Sequence, residues 1–331
     1  AGLCGAAVVV SLAPLAVPFV VEQEGAWTVA VVQGGVPGAG NDVGSNHREV
    51  TRNHMAATVE LAARVGRDEE VRPDLVIWPE NSTAVDPVTD GVARVAIEQA
   101  VGAIGVPVLV GALTDGVAAD QVLNEGIVWG LEGPSVTRYT KHHPVPFGEY
   151  IPFRSVLEGL SPRFERIPRD MVAGTGSEPL VIGGVRVADA ICFDVAYDDV
   201  VVPQVGTGAQ VVVVQTSNAT FVGTDQPEQQ FTITRARAAE TGRAVVVAST
   251  NGVSGVIGPT GDVVARAPVE ERAVLVEQVP LSSDLTPAVR WSALWHAIAL
   301  VAAGLGLLTA WCRRAGSAGS RCSRRVRSRR R

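Results

Sequence analysis

Short runs of β-branched and aliphatic residues recur along the chain, separated by stretches whose apolar positions return every three or four residues. Residues 28–33, 75–78, 106–111, 185–191, 211–215 and 244–249 are the β-branched runs. Several are apolar at consecutive positions, as in strands covered on both faces. Between them, 48–65, 88–102 and 228–241 carry a helical pattern. Thr260-Gly261-Asp262 predicts a hairpin turn between 253–257 and 263–266. The segments 174–178 and 134–137 read as loops. This alternation predicts an α/β fold with helices packed on sheet faces, and no repeat period or internal linker divides it.

Two uncharged stretches bracket that body, 1–21 and 291–311. As a helix, each would span about 30 Å, the thickness of a bilayer's hydrocarbon core. Trp291, Trp295 and Trp311 stand near the ends of the second stretch, where amphipathic rings favour the interface, and Arg313 opens a basic flank. Pro14 and Pro18 interrupt the first stretch, a feature membrane helices tolerate. The expected organisation is a membrane segment over 1–21, in which the chain begins, a catalytic body over 22–290, a transmembrane helix over 291–311 and a basic tail over 312–331. The positive-inside rule then puts the tail in the cytoplasm and the body outside it, on the cell membrane.

Charge sharpens this picture. The 331 residues carry 28 basic and 34 acidic side chains, a net charge of −6. Nine Arg and no acid fall in 313–331, leaving the rest at −15. So acidic a body argues against nucleic-acid binding. Only one basic residue is lysine, Lys141, against 27 arginines, which marks a position needing a compact ammonium that guanidinium cannot replace. Of Cys4, Cys192, Cys312 and Cys322, only Cys192 lies in the body, which excludes a disulfide framework there.

Three reactive side chains fall at strand ends. Glu80 closes Asp74-Leu75-Val76-Ile77-Trp78-Pro79-Glu80, at a sheet edge where partial desolvation suits it to general-base work. Cys192 follows an apolar run and precedes Phe193-Asp194. At such a strand-to-helix elbow, a thiol faces ligand and helix amides are expected to favour thiolate. Lys141 opens a loop of rigid and polar residues, His142-His143-Pro144-Val145-Pro146-Phe147-Gly148-Glu149-Tyr150. No Gly-x-Ser-x-Gly elbow, His-Glu-x-x-His, Cys-x-x-Cys or P-loop occurs, and adjacent His142 and His143 diverge too far for a zinc pair.

Glu80, Lys141 and Cys192 together resemble the Glu-Lys-Cys triad of the nitrilase (carbon–nitrogen hydrolase) superfamily. The surrounding segments resemble its apolipoprotein N-acyltransferase family: Val31-Val32-Gln33-Gly34, Ile77-Trp78-Pro79-Glu80-Asn81, Tyr139-Thr140-Lys141 through Pro152, Ile191-Cys192-Phe193-Asp194, Thr216-Ser217-Asn218-Ala219, and Ser249-Thr250-Asn251-Gly252 leading to Gly258-Pro259-Thr260-Gly261. The likeness runs in order through residues 27–311. Phe193-Asp194 stands where the family often has Tyr-Glu, and the stretch after Asn218 lacks an acid and a Trp that many members carry.

The resemblance implies an αββα sandwich flanked by transmembrane helices, with the triad at the carboxyl ends of its strands. It implies Glu80 as base, Lys141 as oxyanion partner and Cys192 as nucleophile, with Glu149, Phe193, Asp194 and Asn218 binding substrate or supporting the three. The implied reaction moves an acyl chain from phospholipid through a Cys thioester to the N-terminal amine of a diacylglyceryl-cysteine lipoprotein, without metal or organic cofactor. The residues themselves require only acyl transfer through Cys. A membrane-anchored nitrilase-type amidase, with water as acceptor, and an inactive lipoprotein-binding domain are the alternatives.

Overall fold

The computed structural model describes residues 21–327 except 162, 163 and 166, with side chains as far as Trp311. The stretch 1–21, read as a membrane segment, lies outside these residues but for Val21. The chain divides into two compact units after Thr286.

Among the described residues, thirteen strands and four longer helices build the first unit. They run β1 Gly25–Gln33, α1 His47–Gly66, β2 Leu75–Ile77, α2 Gly91–Ile104, β3 Val108–Asp115, β4 Gln121–Gly130, β5 Gly133–Thr140, β6 Asp170–Met171, β7 Leu180–Ile182, β8 Val185–Ile191, α3 Asp198–Gly206, β9 Val211–Thr216, α4 Gln226–Thr241, β10 Val245–Ser249, β11 Gly255–Ile257, β12 Val263–Arg266 and β13 Ala273–Leu281. One sheet has the order β13-β1-β2-β3-β4-β5, with β6 added beside β4; the other runs β12-β11-β10-β9-β8-β7. The sheets pack on each other through β1 against β10 and β4 against β8, with α1 and α2 outside the first and α3 and α4 outside the second. This is the αββα sandwich.

Valine runs explain the centre. Val211–Val214 and Val245–Val247 are buried on both faces, one toward the other sheet and one toward a helix. The outer layer of the first sheet closes over Ala57, Leu61, Ile97, Ala100, Val101 and Ile104, packed on Trp78, Val108, Val110 and Trp129. Asp90 starts α2 by accepting the Ala93 N–H at 2.8 Å, an N-cap that delays the helix to Gly91 from the expected residue 88.

The segment 134–137, expected to be a loop, lies inside β5. Pro134 sits opposite Trp129 on the last strand of its sheet, and an edge position tolerates a residue with no N–H to donate.

Directions matter most for the site. Strands β1, β2 and β3 are parallel, and β5 runs with them because β4 is antiparallel to both its neighbours. In the second sheet β8, β9 and β10 are parallel. At the other end of β1, Gly25 pairs with Leu281 of β13, and the Glu22 N–H donates to Asp284 at 3.0 Å.

The second unit holds a helical turn, Pro287–Arg290, and one long helix, α5, Ser292–Arg327. Its part Ser292–Trp311 is long and apolar enough to cross a membrane, with Trp295, Leu300, Leu307 and Trp311 among its exposed side chains.

Candidate active site

Each of the three reactive residues lies just past the carboxyl end of a strand: Glu80 beyond β2, Lys141 after β5 and Cys192 after β8. Lys141 is fully buried, and its ammonium donates to Glu80 Oε1 at 3.0 Å and to Glu149 Oε1 at 2.6 Å. Glu149 thus joins the cluster directly, and its other oxygen accepts the Val145 N–H at 2.8 Å, closing the lysine loop on itself. The Glu80 carboxylate is held on both sides, by Asn124 Nδ2 at 2.7 Å and by the Ser217 N–H at 2.9 Å. A carboxylate so fixed has one orientation available.

Burial works to depress the Lys141 ammonium, but the charges of Glu80, Cys192 and Glu149 outweigh it and hold its pKa above the ordinary lysine range. Burial raises the Glu149 pKa, with Lys141 pulling the other way. Burial and then the Glu80 charge push the Cys192 thiol up to about 12, against the pull of Lys141 and a hydrogen bond with Thr216. The expected thiolate therefore gives way to a neutral thiol at rest. Burial leads, and the charges of Glu80 and Glu149 add to it.

The Cys192 backbone has φ +56°, left-handed for a β-branched or ordinary side chain alike. A non-glycine residue held there at a strand-to-turn junction is costly and persists where the surroundings over-determine it. Asp194 supplies much of that hold. It accepts the Tyr139 hydroxyl at 2.6 Å and the His142 and His143 N–H groups at 3.2 and 2.9 Å, fastening the lysine loop to the cysteine turn. Burial, then the Asp194 charge, keeps the Tyr139 phenol well above its usual range, so it remains a donor.

The other two expected residues stand differently. Phe193 is partly exposed and meets Tyr197 edge-on; Tyr197 in turn stacks on His143 at 3.8 Å. Asn218 turns inward, donating to Gln230 at 2.7 Å and accepting from Ser249 at 3.1 Å, so it braces the turn after β9 and lies outside the charged cluster. Its neighbour Ser217 makes the contact with Glu80, through backbone.

Sequence reading missed Asn124, Thr216 and Gly111. Asn124 belongs to β4, which the hydrophobic pattern did not announce. Gly111 lets the Pro79–Glu80 turn lie on β3: an added Cβ would stand 2.2 Å from the Pro79 carbonyl oxygen and 2.7 Å from Glu80 Cα. Among the described residues no cluster of His, Cys, Asp and Glu is arranged to hold a metal ion.

Comparison with known proteins adds a family and relatives. Residues 28–283 match the profile of the family described as carbon–nitrogen hydrolase. The chain is 38% identical over 288 residues to a Mycolicibacterium smegmatis protein named apolipoprotein N-acyltransferase, covering 86% of this chain and 48% of that one. An Azotobacter vinelandii protein of the same name is 29% identical, over 91% of this chain and 58% of the relative. The chain thus spans about half the length of the curated relatives it matches. Among solved structures, a carbon–nitrogen hydrolase from Helicobacter pylori superposes with a TM-score of 0.56 at 16% identity, covering 76% of this chain and 88% of that one. At that identity, the likeness speaks for the fold.

Proposed function

The chain belongs to the carbon–nitrogen hydrolase family, and from that premise we propose that it is the catalytic part of an apolipoprotein N-acyltransferase. The observation that carries this reading is the buried Lys141 ammonium set between Glu80 and Glu149 beside Cys192. That arrangement suits acyl transfer through a thioester, and the relatives' names supply the substrates.

Glu80 takes the Cys192 proton as the sulfur attacks a phospholipid ester carbonyl, because a thiol neutral at rest needs its base at the moment of attack. Lys141 and a backbone N–H near Cys192 stabilise the tetrahedral oxyanion. The intermediate collapses, the C–O bond breaks, and the departing lysophospholipid alkoxide takes the proton back from Glu80. The α-amine of a diacylglyceryl-cysteine then attacks the thioester and gives its proton to Glu80. The sulfur leaves and is reprotonated, and the new bond is an amide. Glu149 shares the Lys141 charge, while Asp194 and Asn218 hold the turns that carry the reacting groups.

The lipid donor has physical support around the site. Phe147 and Phe153, in the loop after Lys141, expose their rings, as do Phe193 and Phe221 near the ends of β8 and β9. The helix Ser292–Trp311 would anchor the protein in the cell membrane, with residues 22–290 outside and 312–331 in the cytoplasm.

Intact-mass spectrometry after incubation with phospholipid tests the reading. A mass increase of one acyl chain, mapped to Cys192, is expected, with discharge on adding a diacylglyceryl-cysteine peptide. Ammonia release from small amides with no acyl adduct from phospholipid would overturn it in favour of an amidase.

A further inference from the structure

One ionisable side chain beneath the site has no place in this mechanism. Asp189, on β8 and three residues before Cys192, is fully buried, and neither carboxyl oxygen has a hydrogen-bond partner among the described residues. The β8–β9 register puts Asp189 opposite Val213 and Ile191 opposite Gln215, so Asp189 and Gln215 share a strand face as diagonal neighbours. Gln215 is also fully buried, and its Oε1 also lacks a partner, while its Nε2 donates to the Trp78 carbonyl at 2.5 Å. Both unpartnered atoms crowd one point between the sheets. The position where Gly126 of β4 lacks a Cβ is 1.9 Å from Asp189 Oδ2 and 2.8 Å from Gln215 Oε1. The two oxygens are therefore less than about 5 Å apart.

Two buried acceptors facing each other cost free energy unless one carries a proton. We propose that Asp189 is a neutral carboxylic acid whose O–H donates to Gln215 Oε1, completing a strap from the cysteine strand through Gln215 to Trp78 O, two residues before Glu80. In this role Asp189 is a positioning residue: it sets the separation of Glu80 and Cys192 across the two sheets. The proposal rests on the reading of those two residues as the reacting pair.

The surroundings favour the proton. Burial first, and then the Asp194 charge, hold the Asp189 carboxyl well above the usual carboxylate range; the nearby Ala190 N–H opposes them without making a hydrogen bond. The ionisable groups around it are Asp194 on the following turn and Tyr139 on β5, the latter opposite Gly126. Neither brings a positive charge. The backbone of Asp189 is separately anchored, exchanging two hydrogen bonds with the Gln204 amide of α3 at 3.0 and 2.8 Å, so the side chain is free of any role in fixing its own strand.

The test compares the wild-type protein with Asp189→Asn and Asp189→Leu. Asn keeps the shape and an N–H donor but cannot ionise; Leu keeps approximate volume and removes the donor. Infrared spectroscopy with 13C-labelled aspartate should show the carbonyl stretch of a protonated carboxyl in wild type, absent in Asp189→Asn. Asp189→Asn should form the Cys192 acyl-enzyme within about twofold of wild type, and Asp189→Leu at least tenfold more slowly. The rate of Cys192 alkylation by iodoacetamide, read by peptide mass, should follow the same order. Absence of the protonated band, or an Asn variant as slow as the Leu variant, would overturn the proposal. If Leu does not fold, the band and the Asn rate still decide it. The band and the alkylation need no acyl donor, so failure of phospholipid transfer alone would refute the functional reading and leave this one standing.

Discussion

Replacing Gly111 by alanine should disable the site from beneath without touching a reactive atom. The new methyl would stand 2.2 Å from the Pro79 carbonyl oxygen and 2.7 Å from Glu80 Cα. Ordinary carbon contacts lie at about 3.5 Å, so something must move by about 1 Å. Strand β3 is held between β2 and β4 and packed on Ile97 and Trp129, and it cannot yield that far. The Pro79–Glu80 turn can, although the Ser82 Oγ–Gly111 carbonyl hydrogen bond at 2.9 Å and the Thr83 N–H on the same oxygen resist it. Lifting the turn drags Glu80 from Lys141, Asn124 and Ser217, which hold it at 3.0, 2.7 and 2.9 Å. Overpacking of this size costs about 1–3 kcal/mol of stability. A 1 Å misplacement of a catalytic group costs on the order of 10²-fold in rate. The assay is single-turnover acylation of Cys192 by intact mass, with a thermal melt on the same sample. Gly102→Ala, where an added methyl meets nothing within 4 Å, is the control and should acylate at the wild-type rate. A Gly111→Ala protein that acylates within a few-fold of wild type would refute the reasoning.

Four further outcomes are expected. Lys141→Arg should be nearly as slow as Lys141→Ala, about 10²–10³ below wild type, since the enclosed ammonium between two carboxylates leaves no room for a planar guanidinium; acylation by the Arg variant within a few-fold would show a generic charge suffices. Cys192→Ala should give no acyl adduct, and wild-type Cys192 should alkylate ever faster with rising pH toward about 12; a plateau below pH 9 would mean a thiolate at rest. His54, buried and held near pKa 4 mainly by burial, donates to the Val50 carbonyl and accepts the Gly34 N–H in its neutral form. Its folded pKa lies below the unfolded 6.5, so this stabilisation is complete above pH 6.5. About 3 kcal/mol is lost as pH falls from there through 4. Denaturant titrations of wild type and His54→Gln should differ in slope over that window, and parallel curves would exclude the effect.

The apolar runs were enough to predict β1 to β3 and β8 to β10 as strands covered on both faces, because such strands stay apolar at consecutive positions. The pattern was silent on β4 and β13 and read part of β5 as a loop. Gln121, Asn124 and Glu125 interrupt β4 because its end borders the polar site, and Pro134 with Ser135 imitates a turn in β5. Of the candidate residues, Lys141 and Cys192 were legible through residue scarcity and strand-end position, and Glu80 through strand-end position alone. The groups that orient them were not. Asn124 looks like any surface amide until its strand is placed, the Ser217 contact is made by backbone, and Asp189 looks like a break in an apolar strand.

The pairing of β1 with β13 fixes where the body can be held. Glu22 and Asp284 are hydrogen-bonded, so whatever chain precedes Val21 and the helix that follows Thr286 attach at one corner. That corner lies at the start of β1, whereas Glu80 stands beyond the end of β2, which runs parallel to it. Because β1 and β13 are antiparallel and are entered at the same end, a load drawing the two attachments apart would open their pairing from Gly25–Leu281 inward, one position at a time, and would leave the strands bearing Glu80 and Cys192 out of its line.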